Sequence, residues 1–126
     1  MLWRIEKILT ALDKKYWRVF FWLYWILCTT LLLLPGTLVP VFNIWDKLEH
    51  AGMFLPMLWL ALLGYAPRWR LAPLSISLTG YGVVIEILQY FIPGRSCSGL
   101  DMVADATGVA TGAVIVWLWK RWDAPT

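Results

Sequence analysis

The sequence predicts an all-α membrane protein, a bundle of four transmembrane helices. Hydrophobic residues make up 60% of the 126-residue chain, and its mean hydropathy is +0.66. Charged residues make up only 15%, against roughly 25% in an ordinary soluble domain. Ten Trp and five Tyr also suit a membrane protein, because their amphipathic rings settle at the lipid–water boundary. The length allows one domain rather than two.

The chain divides into an N-terminal segment, residues 1–15, and a four-helix membrane domain, residues 16–122. The segment has apolar residues at helical spacing, namely Leu2, Ile5, Leu9 and Leu12. This spacing predicts a short amphipathic helix over residues 2–12, which lies on the membrane surface or forms a solvated arm. It lacks the uninterrupted apolar run of a cleavable signal peptide.

The first two spans are predicted from apolar runs and from the residues that interrupt them. Residues 16–34 hold one charge, Arg18, near the start, and at 1.5 Å per residue they reach roughly 28 Å, about one bilayer core. Pro35 begins the loop that ends this span. The second helix covers about residues 44–65, and Pro56 is expected to kink it because proline cannot donate a backbone hydrogen bond.

The third and fourth spans follow in the same way. The third helix covers about residues 71–92, where the only charged or amide side chains are Glu86 and Gln89. The segment Ser98-Gly99-Leu100-Asp101 matches a capping pattern, so the fourth helix begins there and runs to about Trp119. Four spans place both chain termini on one side of the membrane.

Small residues form a ridge along the predicted fourth helix. Ala104, Gly108 and Gly112 lie four residues apart, so they share one helix face. Such a ridge lets another helix approach closely. The partner can be a helix of the same bundle or of a second copy, so a homo-oligomer through these residues is one possibility.

The distribution of basic residues predicts the orientation. Only Lys47 and Arg95 lie on the side opposite the termini. Nine basic residues lie on the terminal side: Arg4, Lys7, Lys14, Lys15, Arg18, Arg68, Arg70, Lys120 and Arg121. The positive-inside rule therefore places both termini in the cytoplasm. We expect a multi-pass protein of the cytoplasmic membrane that does not bind nucleic acid.

The unusual polar residues gather at the predicted outer face. They begin the second and fourth helices and end the third, so they lie at one depth. They also form pairs three or four residues apart, which share a helix face. These pairs are Asp46 with His50, Glu86 with Gln89, and Asp101 with Asp105. The pattern predicts a polar site that three helices build and that opens to the outer face.

These residues form an ordered set of motifs: Asp46-Lys47-x-x-His50, Glu86-x-x-Gln89, Pro93-Gly94-Arg95, and Asp101 followed by Gly108 and Gly112. The set resembles the VanZ-like family of small membrane proteins over about residues 43–115. The resemblance implies a role in the bacterial envelope that influences susceptibility to teicoplanin-type glycopeptides. The family usually carries Asn where this chain has Asp105, which adds a possible negative charge.

Three interpretations of the polar residues remain open. In the structural one, Lys47 and Arg95 form ion pairs with acidic residues and hold the helices together. That interpretation explains Glu86 least well, because this carboxylate lies inside an apolar run.

In the second interpretation the site binds a lipid or a lipid-linked wall precursor at the outer leaflet. Lys47 and Arg95 attract the anionic headgroup, while an apolar groove takes the tails. His50 and Glu86 bond or exchange protons with the ligand and are the candidate catalytic residues. The other predicted ligand-binding residues are Asp46, Gln89, Asp101 and Asp105.

In the third interpretation the protein is an enzyme. His50, with Asp46 or Glu86, serves as a general base, or acidic residues together with His50 hold a divalent metal. No spacing matches a known metal or nucleophile motif, so neither a metal nor another cofactor is predicted. Whether the protein catalyses a reaction stays open at this stage.

Overall fold

The structure, a computed structural model, shows four long helices in the part of the chain that it describes. It describes residues 7, 9, 11–35, 38, 46–66, 70–95 and 99–122, apart from the side chains of residues 46, 47 and 122. The helices are α1 (Lys14–Leu33), α2 (Asp46–Tyr65), α3 (Leu71–Tyr90) and α4 (Gly99–Trp122), and the described residues contain no strand. The predicted all-α class is thus confirmed.

All four helices are long and apolar enough to cross a membrane. Their bounds lie close to the predicted spans. Helix α1 begins earlier than expected, because the Asp13 carboxylate accepts a hydrogen bond from the backbone N–H of Lys15 and caps the helix start. Pro56 lies inside α2, which continues past it to Tyr65. Helix α4 runs three residues beyond the predicted end.

The N-terminal segment is described at residues 7, 9 and 11–15. Lys7, Leu9 and Ala11 are helical there. The Trp17 indole N–H donates to the Leu9 carbonyl at 2.8 Å, so α1 contacts this segment. The remainder of the predicted amphipathic helix lies outside the described residues.

Side-chain contacts show which helix ends lie together. Arg18 Nε donates to the Gly64 carbonyl at 2.7 Å, so α1 begins beside the end of α2. Gln89 Nε2 donates to the Leu32 carbonyl at 2.7 Å, so α3 and α1 end side by side. We call this second end, where α1 and α3 finish and α2 and α4 begin, the polar end. Its assignment to the outer face remains a prediction.

The opposite end carries most of the described basic residues, and two of them bind the end of α2. Besides Arg18, the Lys14 ammonium donates to the Ala66 carbonyl. The last carbonyls of a helix lack partners within it and carry partial negative charge, so basic donors stabilise them. Lys14 and Arg18, two of the basic residues that predicted a cytoplasmic location for this end, thus also join α1 to α2.

Helix α2 lies at the centre of the bundle, and its most extensive packing is against α4, then α1. Phe54, Met57 and Leu58 of α2 are fully buried. A Cβ atom at Gly108 of α4 would lie 2.4 Å from the Ala51 carbonyl oxygen, so the two backbones touch there.

The small-residue ridge packs inside the chain. Ala104, Gly108 and Gly112 are all buried, and a Cβ at Gly112 would meet Leu58 of α2 at 3.3 Å. The ridge therefore provides the close approach of α4 to α2 within the chain.

Candidate functional site

Three ionisable side chains from three helices meet near the polar end. They are His50 of α2, Glu86 of α3 and Asp105 of α4, and we call them the His–Glu–Asp cluster. One ligand atom from each lies within 4.8 Å of the others. The three residues are 3%, 0% and 1% exposed, respectively. The cluster is therefore enclosed by the helices that build it.

The closest contact in the cluster joins α2 to α4. His50 Nδ1 lies 2.8 Å from Asp105 Oδ1, a hydrogen bond, and 3.9 Å from Glu86 Oε1. An ionised Asp105 accepts this bond from an Nδ1–H group, which leaves Nε2 as the basic nitrogen of a neutral ring. The sequence suggested Asp46 or Glu86 as the acidic partner of His50; in the structure Glu86 lies within ion-pair distance, and Asp105, which the sequence analysis did not pair with His50, lies closer.

The cluster lies one to two helical turns inside the bundle. His50 is four residues from the start of α2 and Glu86 four residues from the end of α3. Asp105 is six residues into α4. At 1.5 Å per residue these positions are roughly 6–9 Å from the helix ends. The predicted depth agrees with this placement, but the prediction of an open site was wrong, because packing of α2 on α4 buries the cluster.

Gly82 lies beside the cluster, one turn before Glu86 on α3. A Cβ atom at this position would lie 3.1 Å from Asp105 Oδ2 and 3.3 Å from Phe54 Cε1. The absent side chain therefore lets α3 approach α4 at the cluster. The sequence analysis missed Gly82, because nothing in the sequence distinguishes it from Gly80, which has nothing within 4 Å of a built Cβ.

Two other predicted site residues, Gln89 and Arg95, bind the end of α1. Gln89 Nε2 donates to the Leu32 carbonyl at 2.7 Å. Arg95 donates from Nε to Leu34 and from Nη2 to Leu31, both at 2.9 Å. These carbonyls end a helix, and a cation there also opposes the negative end of the helix dipole. We call Gln89 and Arg95 the α1 clamp.

The remaining predicted site residues begin helices at the polar end. Asp101 lies in the first turn of α4 and is 7% exposed, and a carboxylate suits the positive end of a helix dipole. Asp46 and Lys47 form the first turn of α2, with side chains outside the described atoms. The structure thus brings His50, Glu86 and Asp105 together and assigns Gln89 and Arg95 contacts with α1.

The chemistry open to the cluster follows from its groups. An imidazole beside two carboxylates can exchange a proton with a ligand or form hydrogen bonds to it. The same donor types bind divalent metal ions. Within the described part of the chain, this is the group of three such side chains close enough to share one ion.

Comparison with known proteins gives one match. A family model described as VanZ/LLP1 matches residues 8–120, which include the whole His–Glu–Asp cluster and the α1 clamp. No curated protein and no solved structure matches the chain.

Proposed function

The chain belongs to the VanZ/LLP1 family, and on this premise we propose that it binds the headgroup of a membrane amphiphile at its polar end. The ligand is a lipid or a lipid-linked wall precursor at the outer leaflet of a bacterial cytoplasmic membrane. Through this ligand the protein influences susceptibility to glycopeptides of the teicoplanin type. The family match supports the envelope role, and the geometry of the cluster supports the ligand site.

The observation that carries the proposal is the burial of His50, Glu86 and Asp105 among helices apolar enough to span a membrane. Ionisable groups are costly in such surroundings and mark functional sites by default. Stability does not explain them, because well-packed apolar residues in place of buried ion pairs are often neutral or stabilising. A ligand that needs these groups gives a reason for their presence.

A headgroup fits the depth and the surroundings of the cluster. Roughly 6–9 Å inside the helix ends is within reach of a headgroup that sinks between helices. Arg95 adds positive charge at the same end, and its guanidinium uses two of its five N–H groups on α1 carbonyls. Of the other predicted ligand-binding residues, Asp46, Lys47 and Asp101 lie at this end, while Gln89 holds the end of α1.

The test compares two Glu→Gln variants in a teicoplanin-susceptible bacterium and in purified form. Glu86 is buried in the cluster, whereas Glu49 is exposed on α2 near the same end. Native mass spectrometry with prenyl phosphate, phosphatidylglycerol and phosphatidylcholine measures the lipid that is retained. We expect Glu86→Gln to bind an anionic lipid about a hundredfold more weakly, because the headgroup loses the Glu86 carboxylate as a hydrogen-bond acceptor, and to abolish the change in susceptibility.

Glu49→Gln serves as the matched control and keeps both properties. Wild-type protein that retains none of the three lipids and leaves teicoplanin susceptibility unchanged would overturn the proposal. Retention of phosphatidylcholine in preference to both anionic lipids would contradict the role of Arg95.

A second candidate function rests on the hydrogen bond between His50 Nδ1 and Asp105 Oδ1 at 2.8 Å. A carboxylate on one ring nitrogen orients a histidine so that the other nitrogen can accept a proton from a substrate. In this alternative the amphiphile is a substrate. Mass spectrometry of the lipid after incubation with the protein tests this alternative. A product that forms with the wild type and not with Asp105→Asn supports catalysis. A lipid that the wild type leaves unchanged contradicts it.

A further inference from the structure

The His–Glu–Asp cluster poses an electrostatic problem for the ligand proposed above. Glu86 and Asp105 bring two carboxylates to a buried site, and two negative charges repel an anionic headgroup. Arg95 lies at the same end but donates to the end of α1. A bound divalent cation neutralises the two carboxylates and offers a phosphate oxygen a positive partner.

We propose that His50, Glu86 and Asp105 bind a divalent transition-metal ion of the zinc type. The ligand set is one imidazole nitrogen and two carboxylate oxygens from three helices. Imidazole favours zinc and its neighbours over magnesium and calcium, while carboxylates accept either class. One histidine among the ligands therefore selects the transition metals.

The distances suit a shared ion after small adjustments. His50 Nδ1 is 2.8 Å from Asp105 Oδ1 and 3.9 Å from Glu86 Oε1, and the three ligand atoms lie within 4.8 Å. A tetrahedral ion with bonds of about 2.1 Å sets its donors roughly 3.4 Å apart, so side-chain shifts on the order of 1 Å suffice. Coordination through Nδ1 requires the other neutral tautomer of His50, in which the ring proton has moved from Nδ1 to Nε2.

Gly82 of α3 packs directly against the cluster. A Cβ there would lie 3.1 Å from Asp105 Oδ2 and 3.3 Å from Phe54 Cε1, so a side chain at this position would press on the Asp105 carboxylate. The glycine therefore lets α3 bring Glu86 beside Asp105, and a larger residue there should disturb the arrangement of the three ligands.

Three protein ligands leave one position of a tetrahedral ion open. Structural zinc sites have four protein ligands, whereas sites that bind a substrate or water keep an open position. We place a phosphate oxygen of the lipid headgroup at this position, and this second step rests on the proposed function. It requires no chemical reaction.

The experiment uses the full chain, purified in detergent with an affinity tag that contains no histidine. His50 is the single histidine of the sequence, so any imidazole-dependent binding belongs to it. After chelator treatment, the protein is titrated with Zn²⁺, Mn²⁺ and Mg²⁺ by calorimetry, and bound metal is counted by mass spectrometry. We expect one Zn²⁺ per chain, with Mg²⁺ about a hundredfold weaker.

Variants locate the ion. His50→Ala, Glu86→Gln and Asp105→Asn should each weaken Zn²⁺ binding about a hundredfold, and Gly82→Ala should weaken it less because no ligand is lost. Glu49→Gln is the control, and its dissociation constant for Zn²⁺ should equal that of the wild type. Circular dichroism confirms that each variant is folded. Bound Co²⁺ supplies a visible spectrum that reports tetrahedral coordination in the wild type.

The outcomes separate the two proposals. Folded wild-type protein without stoichiometric Zn²⁺, or Zn²⁺ binding that all three ligand variants preserve, overturns the metal site. Lipid retention that survives chelation shows that the headgroup binds without the ion, which overturns the second step and leaves the proposed function standing. A Co²⁺ spectrum that changes when prenyl phosphate is added supports the second step.

Discussion

The His–Glu–Asp cluster and the α1 clamp lie at the same end of the bundle and differ in what their polar atoms contact. In the cluster, side chains face one another: His50 bonds Asp105, with Glu86 beside them. In the clamp, Gln89 and Arg95 donate to backbone carbonyls of α1. The clamp residues thus bind groups that every helix end offers, whereas the cluster residues bring two carboxylates and an imidazole together at one buried point.

The difference shows how to weigh polar residues near helix ends. A helix end offers carbonyls without intrahelical partners, and a donor from a neighbouring helix satisfies them. Side chains that bind such carbonyls stabilise the fold even when they resemble a site in sequence. Carboxylates that converge from different helices have no such role, so they carry the functional hypothesis.

The largest effect is expected from a substitution that disrupts the packing of α4 on α2, on which the cluster depends. Gly108→Leu places a side chain where a Cβ alone would lie 2.4 Å from the Ala51 carbonyl oxygen, so α4 must move away from α2. We expect destabilisation of about 4 kcal/mol or more, measured by thermal unfolding in detergent. Gly80→Leu is the control, because a Cβ there meets nothing within 4 Å. Equal unfolding temperatures for the two variants would show that the helices do not touch at Gly108.

The next effect separates function from stability within the cluster. Glu86→Gln keeps the shape of a fully buried side chain and removes its charge. We expect headgroup binding to weaken about a hundredfold, roughly 2.7 kcal/mol, because the carboxylate is lost as a hydrogen-bond acceptor and as a ligand of the proposed ion; the unfolding temperature should change little. Calorimetric lipid titration beside thermal unfolding measures both. A variant that binds normally and unfolds much earlier would make Glu86 a structural residue, like those of the clamp.

The clamp should show the opposite behaviour. Arg95→Ala removes two charge-assisted hydrogen bonds to the end of α1. We expect a loss of about 2 kcal/mol in unfolding free energy. Arg95→Lys keeps the charge but not the two-pronged contact, so it should restore part of the stability. If Arg95→Ala keeps its stability but loses lipid binding, Arg95 acts in the ligand site and not in the clamp.

The smallest effect is expected at the other clamp residue. Gln89→Leu has similar volume and removes the hydrogen bond to the Leu32 carbonyl. The expected cost is about 1 kcal/mol, with lipid binding retained. Chemical unfolding in a mild detergent can resolve this difference. If Gln89→Leu lowers lipid affinity as much as Glu86→Gln does, Gln89 belongs to the ligand site, and the proposed distinction between the clamp and the cluster is wrong.

The four helices could be predicted from the sequence because long apolar runs and proline breaks set their bounds locally. The common depth of His50, Glu86 and Asp105 followed from position along each span. Rotation of each helix and its distance from its neighbours depend on packing, so burial and the choice of Asp105 as the partner of His50 could not be derived.

Spacing alone also could not separate Glu86 from Gln89. Three residues apart, both side chains point into the bundle and both are buried, in agreement with the shared face. Their contacts differ because α1 ends beside Gln89 and α2 begins beside Glu86. Such neighbours are a property of the assembled bundle, and they decided which predicted site residues belong together.

The contribution of Asp105 from α4 has a consequence for biosynthesis. Nineteen residues separate Glu86 from Asp105 (105 minus 86), so at about 5–20 residues per second Glu86 leaves the ribosome roughly 1–4 s earlier. During that interval His50 and Glu86 are outside the ribosome while Asp105 is still inside it. A nascent chain that stops before α4 leaves them in apolar surroundings without the helix that encloses them. Arrival of α4 therefore completes the enclosure of both side chains.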